Sequence, residues 1–407
     1  MTRRDFRARL PAAYWRLWWA SAVNNIGDGV FAAAVPLLTV TITRDPVQVS
    51  FVSAATYLPW LLLSLPAGAL VDRFDRASLM WRSQTLQAVI VTAVAVLIWL
   101  DRIDVAGLAA MGFGLGACEA VFANASLAIL PDLVPPAQLH RANGNQYTIA
   151  SVGQLFIGPP IGSALFAAAA VLPFGVDAGS FALSAALLAT LPRRRLRTRP
   201  AQPPMRAAVI EGVRWLAGHR LLRTLAGLLA VNTFCYQIGN VSIVLLATDS
   251  LHVSARGYGL LLGGAAVGSV LGGVVNARVV GRIGPLPALL TALVANVVIF
   301  VLIGASPNAV ALGALLGCNG FATTLWSVVT VSLRQQVVPE PLRGRVHSVY
   351  RMLGWGLMPL GSLVGGFVAD TVGIRAAYPL AGAFRGVALL VALPAILSTM
   401  RAVDTPG

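Results

Sequence analysis

Residues 285–304 read PLPALLTALVANVVIFVLIG and contain no charged side chain in twenty consecutive positions. An α-helix of that length is about 30 Å long, which matches the hydrocarbon core of a lipid bilayer. The rest of the 407-residue chain has the same character, with 57% hydrophobic residues, 11% charged residues and a mean hydropathy of +0.77. Because soluble domains carry about 25% charged residues, this composition excludes a water-soluble enzyme.

Twelve stretches of the chain are long and apolar enough to cross a bilayer as helices. The sequence therefore predicts an all-α integral membrane protein with twelve transmembrane helices. One connection, 193–221, is long, and its segment MRAAVIEGVRWLAGHR places apolar residues on one helical face. This pattern predicts a short helix on the membrane surface, and a simple tether is the alternative role. The predicted limits of the transmembrane helices are 18–43, 49–71, 78–100, 104–131, 146–170, 174–192, 222–248, 257–280, 285–304, 309–333, 346–370 and 375–399.

The distribution of arginine predicts the orientation of the chain in the membrane. The net charge is +15, and all 30 basic residues are Arg. With a cytoplasmic N-terminus, 24 of them lie in cytoplasmic segments, 4 in outer segments and 2 within helices. Cytoplasmic loops of membrane proteins collect positive charge, so we expect a multi-pass protein of the bacterial cytoplasmic membrane with both termini inside. The same rule accounts for the basic run after residue 192, and we therefore expect no nucleic-acid partner.

The two halves of the chain share local sequence at an offset of 204 residues. LVPPAQLHRANG at 133–144 aligns with VVPEPLRGRVHS at 337–348. Duplicated helical bundles of this kind bind their substrate near the middle of the membrane. The repeat predicts two pseudo-symmetric six-helix bundles, residues 1–192 and 222–407, joined by the cytoplasmic linker 193–221.

Four short motifs are NIGDG at 25–29, GALVDRFDR at 68–76, IGPPIGSAL at 157–165 and RGRVHSVYR at 343–351. Together they resemble the major facilitator superfamily and, within it, the multidrug, macrolide and siderophore exporter-like branch of actinobacterial type. The resemblance extends over essentially the whole chain. It implies the major facilitator fold and a monomeric secondary transporter that works by alternating access, and it does not identify the substrate.

The motif at 68–76 resembles the cytoplasmic loop signature of that superfamily. Its glycine would let two helices approach closely. The carboxylate that follows would either face the positive N-terminal end of a neighbouring helix or form charge-assisted pairs with the two arginines across the halves. Such pairs would close the cytoplasmic side in one state. Alternatively, the arginines only set the topology. Because the arginines at 141 and 345 match in the repeat, the gate candidates are Gly68, Asp72, Arg73, Arg76, Arg141 and Arg345.

The motif at 157–165 resembles the antiporter signature of exporters. Proline removes a backbone donor and crowds the preceding turn, so Pro159 and Pro160, flanked by Gly158 and Gly162, predict a bent and closely packed fifth helix. In similar exporters this bend is thought to seal the outer pathway, and a structural kink without gating is the alternative. The second half has GSLVGG without the prolines, so we expect the bend in the first half only.

Ionisable groups within predicted helices indicate the transport site, because inserting such a group costs roughly 2.5–3.5 kcal/mol. Asp28 lies about halfway along the first helix and Glu119 near the middle of the fourth. Burial disfavours a charged carboxylate, as a proton carrier requires, so this pair is predicted to carry protons or to contact a cation. A structural Asp28, bonded to its own helix or to a neighbouring one, is the alternative. Further polar candidates for the site are Asn24, Asn25, Gln154, Asn319 and Trp326.

Arg385 and Asp177 are further ionisable residues within predicted helices. Arg385, near the middle of the last helix, is a candidate either for the counter-ion of one of the acids or for a contact to an anionic substrate. The sequence leaves both roles open. Asp177 lies near the outer end of the sixth helix and is interpreted as structural, because its DAGSF setting looks like a feature of the family.

Motifs for metal, redox and nucleotide chemistry are absent from the sequence. The three cysteines are far apart, and a chain without lysine has no Walker P-loop lysine. We therefore expect no metal or cofactor, and energy from an ion gradient or from the gradient of the substrate. The predicted function is export of a small amphipathic organic compound, coupled to protons or another ion. The alternatives are a facilitator or importer of a small solute and a lipid-handling flippase.

Overall fold

The computed structural model describes residues 10–192, 205–339 and 342–404, and this part of the chain is helical with no strand. It contains twelve helices that are long and apolar enough to cross a membrane, so the chain is a multi-pass helical membrane protein. They are named spans 1 to 12 in chain order. Span 5 consists of Leu139–Ser151, a π-helical segment Val152–Ile157, and Gly158–Ala168. The other spans of the first half are Ala12–Ile42, Pro46–Arg73, Arg76–Trp99, Val105–Leu133 and Leu172–Ala189.

The second half repeats this arrangement after a short helix in the connection. This linker helix, Met205–Gly218, lies where the amphipathic pattern predicts a helix. Span 7 is Arg220–Leu245, extended by the π-helical segment Leu246–Ser250. Span 11 consists of Arg343–Gly356 and Met358–Thr371. The remaining spans are Ala255–Ile283, Pro285–Gly304, Ala309–Val337 and Ala377–Asp404.

Each span overlaps a stretch predicted from the apolar runs, and the differences lie at the ends. Span 1 begins at Ala12 and span 5 at Leu139, earlier than their predicted starts at 18 and 146. The added turns contain polar and aromatic residues that an apolar run does not include. A tertiary contact joins them, because the buried Tyr14 hydroxyl donates to the Ala142 carbonyl at 3.2 Å.

The expectation that the first half alone has an interrupted helix is wrong. Span 11 is also interrupted, at Leu357, where one helix ends and the next begins at Met358. Pro359 lies at the start of the second segment. Proline fits the first turn of a helix because the backbone donor it lacks has no intrahelical partner there. The break in this half therefore precedes GSLVGG and has its own proline.

The chain divides into two compact units. The first contains the described parts of 1–43, 55–201 and 255–259, and the second contains those of 44–54, 202–254 and 260–407. The first unit has a core around Tyr14, Met80 and Leu188. The core of the second unit contains Leu222, Trp326 and Tyr350, together with leucines, valines and alanines from the other helices of that unit.

Glycines bring helix backbones together in the first unit. A Cβ atom at Gly158 would collide with the backbone of Gly29, and one at Gly162 would collide with the backbone of Val30. Spans 1 and 5 therefore touch through their backbones. In a bilayer, where lipid provides no hydrophobic drive for association, close approach of small residues supplies much of the packing energy.

The second unit uses the same device at the corresponding helices. Cβ atoms at Gly361 and Gly365 would collide with the backbone oxygens of Phe234 and Ile238. Span 11 thus packs on span 7 as span 5 packs on span 1. The internal repeat is therefore preserved in backbone packing, even where the prolines of the two halves differ.

Candidate functional site in the first unit

Asp28 lies on span 1 with two amide side chains directed at its carboxylate. Asn24 Nδ2 donates to Asp28 Oδ2 at 2.8 Å, and Gln154 Nε2 donates to the same oxygen at 3.3 Å. Asn24 is four residues earlier on the helix and therefore shares the face of Asp28. Gln154 comes from the π-helical segment of span 5. Two sequence-predicted candidates are thus brought to Asp28, and both donate hydrogen bonds to it.

Glu119 on span 4 is the second acid of the site. It interacts electrostatically with Asp28, and the Gln87 side chain is within hydrogen-bonding reach of its carboxyl group. Its Oε2 atom is buried and has no hydrogen-bond partner among the described residues. The structure therefore brings both predicted acids into one electrostatic environment, although they lie on different helices.

Two glutamines of span 3 belong to this environment and were missed from the sequence. Gln84 and Gln87 are fully buried or nearly so, and Gln84 Nε2 donates to Gln87 Oε1 at 3.2 Å. Their spacing of three residues puts them on one face of an otherwise apolar helix. That pattern was a usable signal, because an uncharged polar pair inside a membrane helix needs a polar partner.

The other polar candidates have no hydrogen bond to Asp28 or Glu119 among the described residues. Asn25 Nδ2 donates to the Ser21 carbonyl of its own helix at 2.6 Å. Asn319 belongs to span 10, and its Oδ1 atom is buried and unpartnered among the described residues. Trp326 lies in the apolar core of the second unit with 7% of its surface exposed. Trp326 is therefore a core residue in this structure.

Arg385 is buried in the second unit, with 6% of its surface exposed. Its guanidinium lies 3.6 Å from the centroid of the Phe300 ring and donates to the Asn232 carbonyl at 2.9 Å. The charge also interacts with Cys235 and with the phenol of Tyr236. The interactions recorded for this side chain in the described residues include no carboxylate, so they do not support the counter-ion role. The aromatic face and the carbonyl stabilise the charge instead.

Of the gate candidates in the first half, Arg76 forms an ion pair in this structure. Arg76 pairs with Asp132 of span 4 and donates to the Ala128 carbonyl at 2.9 Å. The side chain of Asp72 lies outside the described residues, and Arg73 is exposed. Gly68 is a partly exposed residue within span 2. The partner of Arg76 in this structure therefore comes from its own half of the chain.

The two arginines that match in the repeat have different surroundings. Arg141 is exposed near the start of span 5. Arg345, at the start of span 11, pairs with Glu211 of the linker helix. A Cβ atom at Gly212 would press on the backbone of Arg345, so the two helices also approach closely. The linker helix is therefore attached to span 11 by an ion pair and by backbone packing.

The proline motif of span 5 follows the π-helical segment directly. The Gly158 amide donates to the Gly153 carbonyl, five residues earlier, as in a π-helix. Pro159 and Pro160 have no amide hydrogen for the carbonyls four residues before them. The wider turn arises at that point and directs Gln154 to Asp28. Short π-helical segments of this kind are frequent at functional sites.

Comparison with known proteins gives one family and several relatives. A family model described as a transmembrane secretion effector of the MFS group matches residues 9–406. The multidrug efflux pump Tap of Mycobacterium tuberculosis is 28% identical over 408 residues, covering 96% of this chain and 92% of the relative. Tap of Mycolicibacterium fortuitum is also 28% identical. An uncharacterised MFS-type transporter of Bacillus subtilis, YfiS, is 25% identical and covers 89% of this chain.

Solved structures show the same fold at low sequence identity. The nucleoside transporter NupG superposes with a TM-score of 0.77 at 12% identity and covers 94% of this chain and 99% of its own. A bacterial homologue of the iron transporter ferroportin, in an inward-facing state, gives a TM-score of 0.74 at 18% identity, with 94% and 98% coverage. These likenesses establish the architecture of the chain.

Proposed function

The chain belongs to the major facilitator superfamily of membrane transporters, and from this premise we propose that it exports small amphipathic organic compounds in exchange for protons. The observation that carries the proposal is the Asp28 carboxylate, which accepts hydrogen bonds from Asn24 and Gln154 and interacts with Glu119. Carboxyl groups inside the membrane are costly unless they bind a proton or a cation. A cationic amphipathic compound and protons would compete for these two groups.

The direction of transport is proposed from the relatives. Two of them are named as multidrug efflux pumps and align with nearly the whole chain at 28% identity. We propose the same direction here, out of the cytoplasm of a bacterial cell. The proposal includes a monomeric protein in the cytoplasmic membrane, with both termini and the linker helix on the cytoplasmic side.

We also propose that the gate residues close the cytoplasmic ends of the helices in one state of the cycle. Arg76 with Asp132 and Arg345 with Glu211 are charge-assisted pairs near these ends. Ion pairs of this type break and form at small cost when exposed to water. In a cycle of alternating access we expect them to exchange partners while the carboxyl groups of Asp28 and Glu119 exchange protons.

The test is dye transport by the purified full-length chain in proteoliposomes. With ethidium as the amphipathic cation, an imposed proton gradient should drive uptake into vesicles whose protein is oriented inside-out. Asp28→Asn and Glu119→Gln should each abolish gradient-driven uptake while the protein still binds ethidium. Asp101→Asn is the matched control, because Asp101 is an exposed acid in the turn after span 3.

The results separate the alternatives. If both variants keep gradient-driven transport, the assignment of the carboxyl groups is wrong. Transport down the ethidium gradient that is indifferent to pH would indicate a facilitator. Movement of a fluorescent phospholipid between leaflets, without movement of ethidium, would indicate a lipid-handling protein.

A further inference from the structure

Asp177 is a carboxyl group of the first unit that the proposed function does not use, and it is completely buried, with 0% of its surface exposed. It lies on span 6. The Ser180 hydroxyl donates to the Asp177 carbonyl at 2.8 Å and lies 3.3 Å from Oδ1. The other oxygen, Oδ2, is buried and has no hydrogen-bond partner among the described residues. A buried carboxylate with an oxygen that accepts no hydrogen bond would be strongly unfavourable in an apolar interior.

The Asp177 carboxyl group reaches the backbone of span 1 next to Asp28. A Cβ atom at Gly27 would collide with the Ser180 hydroxyl and with Asp177 Oδ1, so these helices touch here. Gly27 immediately precedes Asp28, and the two carboxyl groups interact electrostatically. Asn24 is 2% exposed, and while its amide nitrogen donates to Asp28, its Oδ1 atom is buried without a partner among the described residues.

Among the described residues, the helices that pack around Asp177 place no positive charge beside it. Span 6 packs against span 1, span 3 and the Gly158–Ala168 segment of span 5. Span 3 has no titratable residue between Ser83 and its end, and Gly158–Ala168 has none at all. On span 1 the titratable residue at this level is Asp28, and Arg16 donates to the Thr190 carbonyl at the far end of span 6. Asp177 therefore has an acid as its ionisable neighbour.

We propose that Asp177 is a further proton-binding residue of the transport site, which binds and releases a proton in concert with Asp28 and, through Asp28, with Glu119. The inference rests on the proposed function and adds a third acid to it. Two neighbouring carboxyl groups without a counter-ion do not ionise together. The ionisation of Asp28 then depends on whether Asp177 holds its proton. Each titration step therefore reports on the three acids together and not on a single residue.

This role predicts an effect on the number of protons exchanged. Asp177→Asn keeps the size of the side chain and removes one proton-binding group. We expect proton release on binding of ethidium to fall by about one proton per site, and the pH profile of transport to lose one titration step. A purely structural Asp177 would leave the proton number unchanged, whatever happened to stability.

The experiment uses the full-length protein in detergent, with ethidium as the probe. Heats of binding are measured in buffers of different ionisation enthalpy, which gives the number of protons released. Ser180→Ala is the matched variant, because it removes the hydroxyl that faces Asp177 without removing an acid. It should keep the wild-type proton number even if its unfolding temperature falls.

The outcomes distinguish this inference from the proposed function. A lower proton number in Asp177→Asn, with the wild-type number in Ser180→Ala, supports it. An unchanged number in Asp177→Asn, together with a reduced number in Asp28→Asn, overturns the role of Asp177 and leaves the proposed function intact. If the wild-type protein releases no proton on binding ethidium, both proposals fail.

Discussion

A hydrogen bond between Gln154 and Asp28 links spans 5 and 1 of the first unit. The amide of Gln154 donates at 3.3 Å across to Asp28 Oδ2, and it is the π-helical segment that places Gln154 there. The residue was a candidate from the sequence, because it is polar within an apolar helix. Its partner was not predictable, since a contact between helices 126 positions apart depends on how the two helices rotate against each other.

We expect Gln154→Ala to weaken the apparent affinity for ethidium in proton-driven transport about fivefold. A hydrogen bond of this kind contributes about 1 kcal/mol, which corresponds to roughly a fivefold change. The measurement is the apparent affinity for ethidium in proteoliposomes at fixed proton gradient. Gln48→Ala is the control, because Gln48 makes a similar bond to the exposed Asp45, at 3.0 Å. Equal effects of the two substitutions would show that the bond to Asp28 has no special role.

For Arg385, the sequence predicted a charge within a helix but not the groups that surround it. A charge within a predicted helix was recognised from the sequence, and its burial agrees with that prediction. The identity of its neighbours was open, because a guanidinium can be stabilised by a carboxylate, by carbonyls or by an aromatic ring. The Phe300 ring and the Asn232 carbonyl belong to spans 9 and 7, and their positions follow from tertiary packing.

Helices were easier to predict than their interruptions. Apolar runs of about 20 residues identify a membrane helix from length and composition alone, and all twelve spans were found in this way. The interruption of span 11 was missed because the comparison with the first half used GSLVGG, whereas the proline that starts the second segment is Pro359, just before it. Helix ends were missed where packing extends a helix beyond its apolar run, as at Tyr14 and Ala142.

Close packing of spans 1 and 5 makes a prediction about stability. Gly158→Ala should lower the unfolding temperature and reduce transport, because the added Cβ atom overlaps the backbone of Gly29. Overpacking of this kind costs about 1–3 kcal/mol. Gly175→Ala is a matched control in span 6, where a Cβ atom would meet nothing within 4 Å. Thermal unfolding in detergent measures both, and a similar loss in the two variants would contradict the packing argument.

At the scale of the whole molecule, one of the arginines predicted to lie outside has a structural explanation. Arg375 precedes span 12 in a segment predicted to lie on the outer side. Its guanidinium donates to the Ser306 carbonyl at 2.8 Å and to the Gly304 carbonyl at 3.4 Å. Those carbonyls lie at the C-terminal end of span 9, where a positive charge is favourable. An arginine on the outer side is therefore compatible with the positive-inside rule when it donates hydrogen bonds to carbonyls at the end of a helix.

Labelling of single cysteines tests the predicted orientation of the chain in the membrane. The three native cysteines, at 118, 235 and 318, are first replaced by alanine. In intact cells a membrane-impermeant maleimide should label Arg102→Cys and Pro307→Cys, which lie after spans 3 and 9, and should label Ala201→Cys only after permeabilisation. The physical reason is that 24 arginines would otherwise lie on the outer side of the membrane, against the charge bias of cytoplasmic loops. The reverse labelling pattern would contradict the predicted orientation.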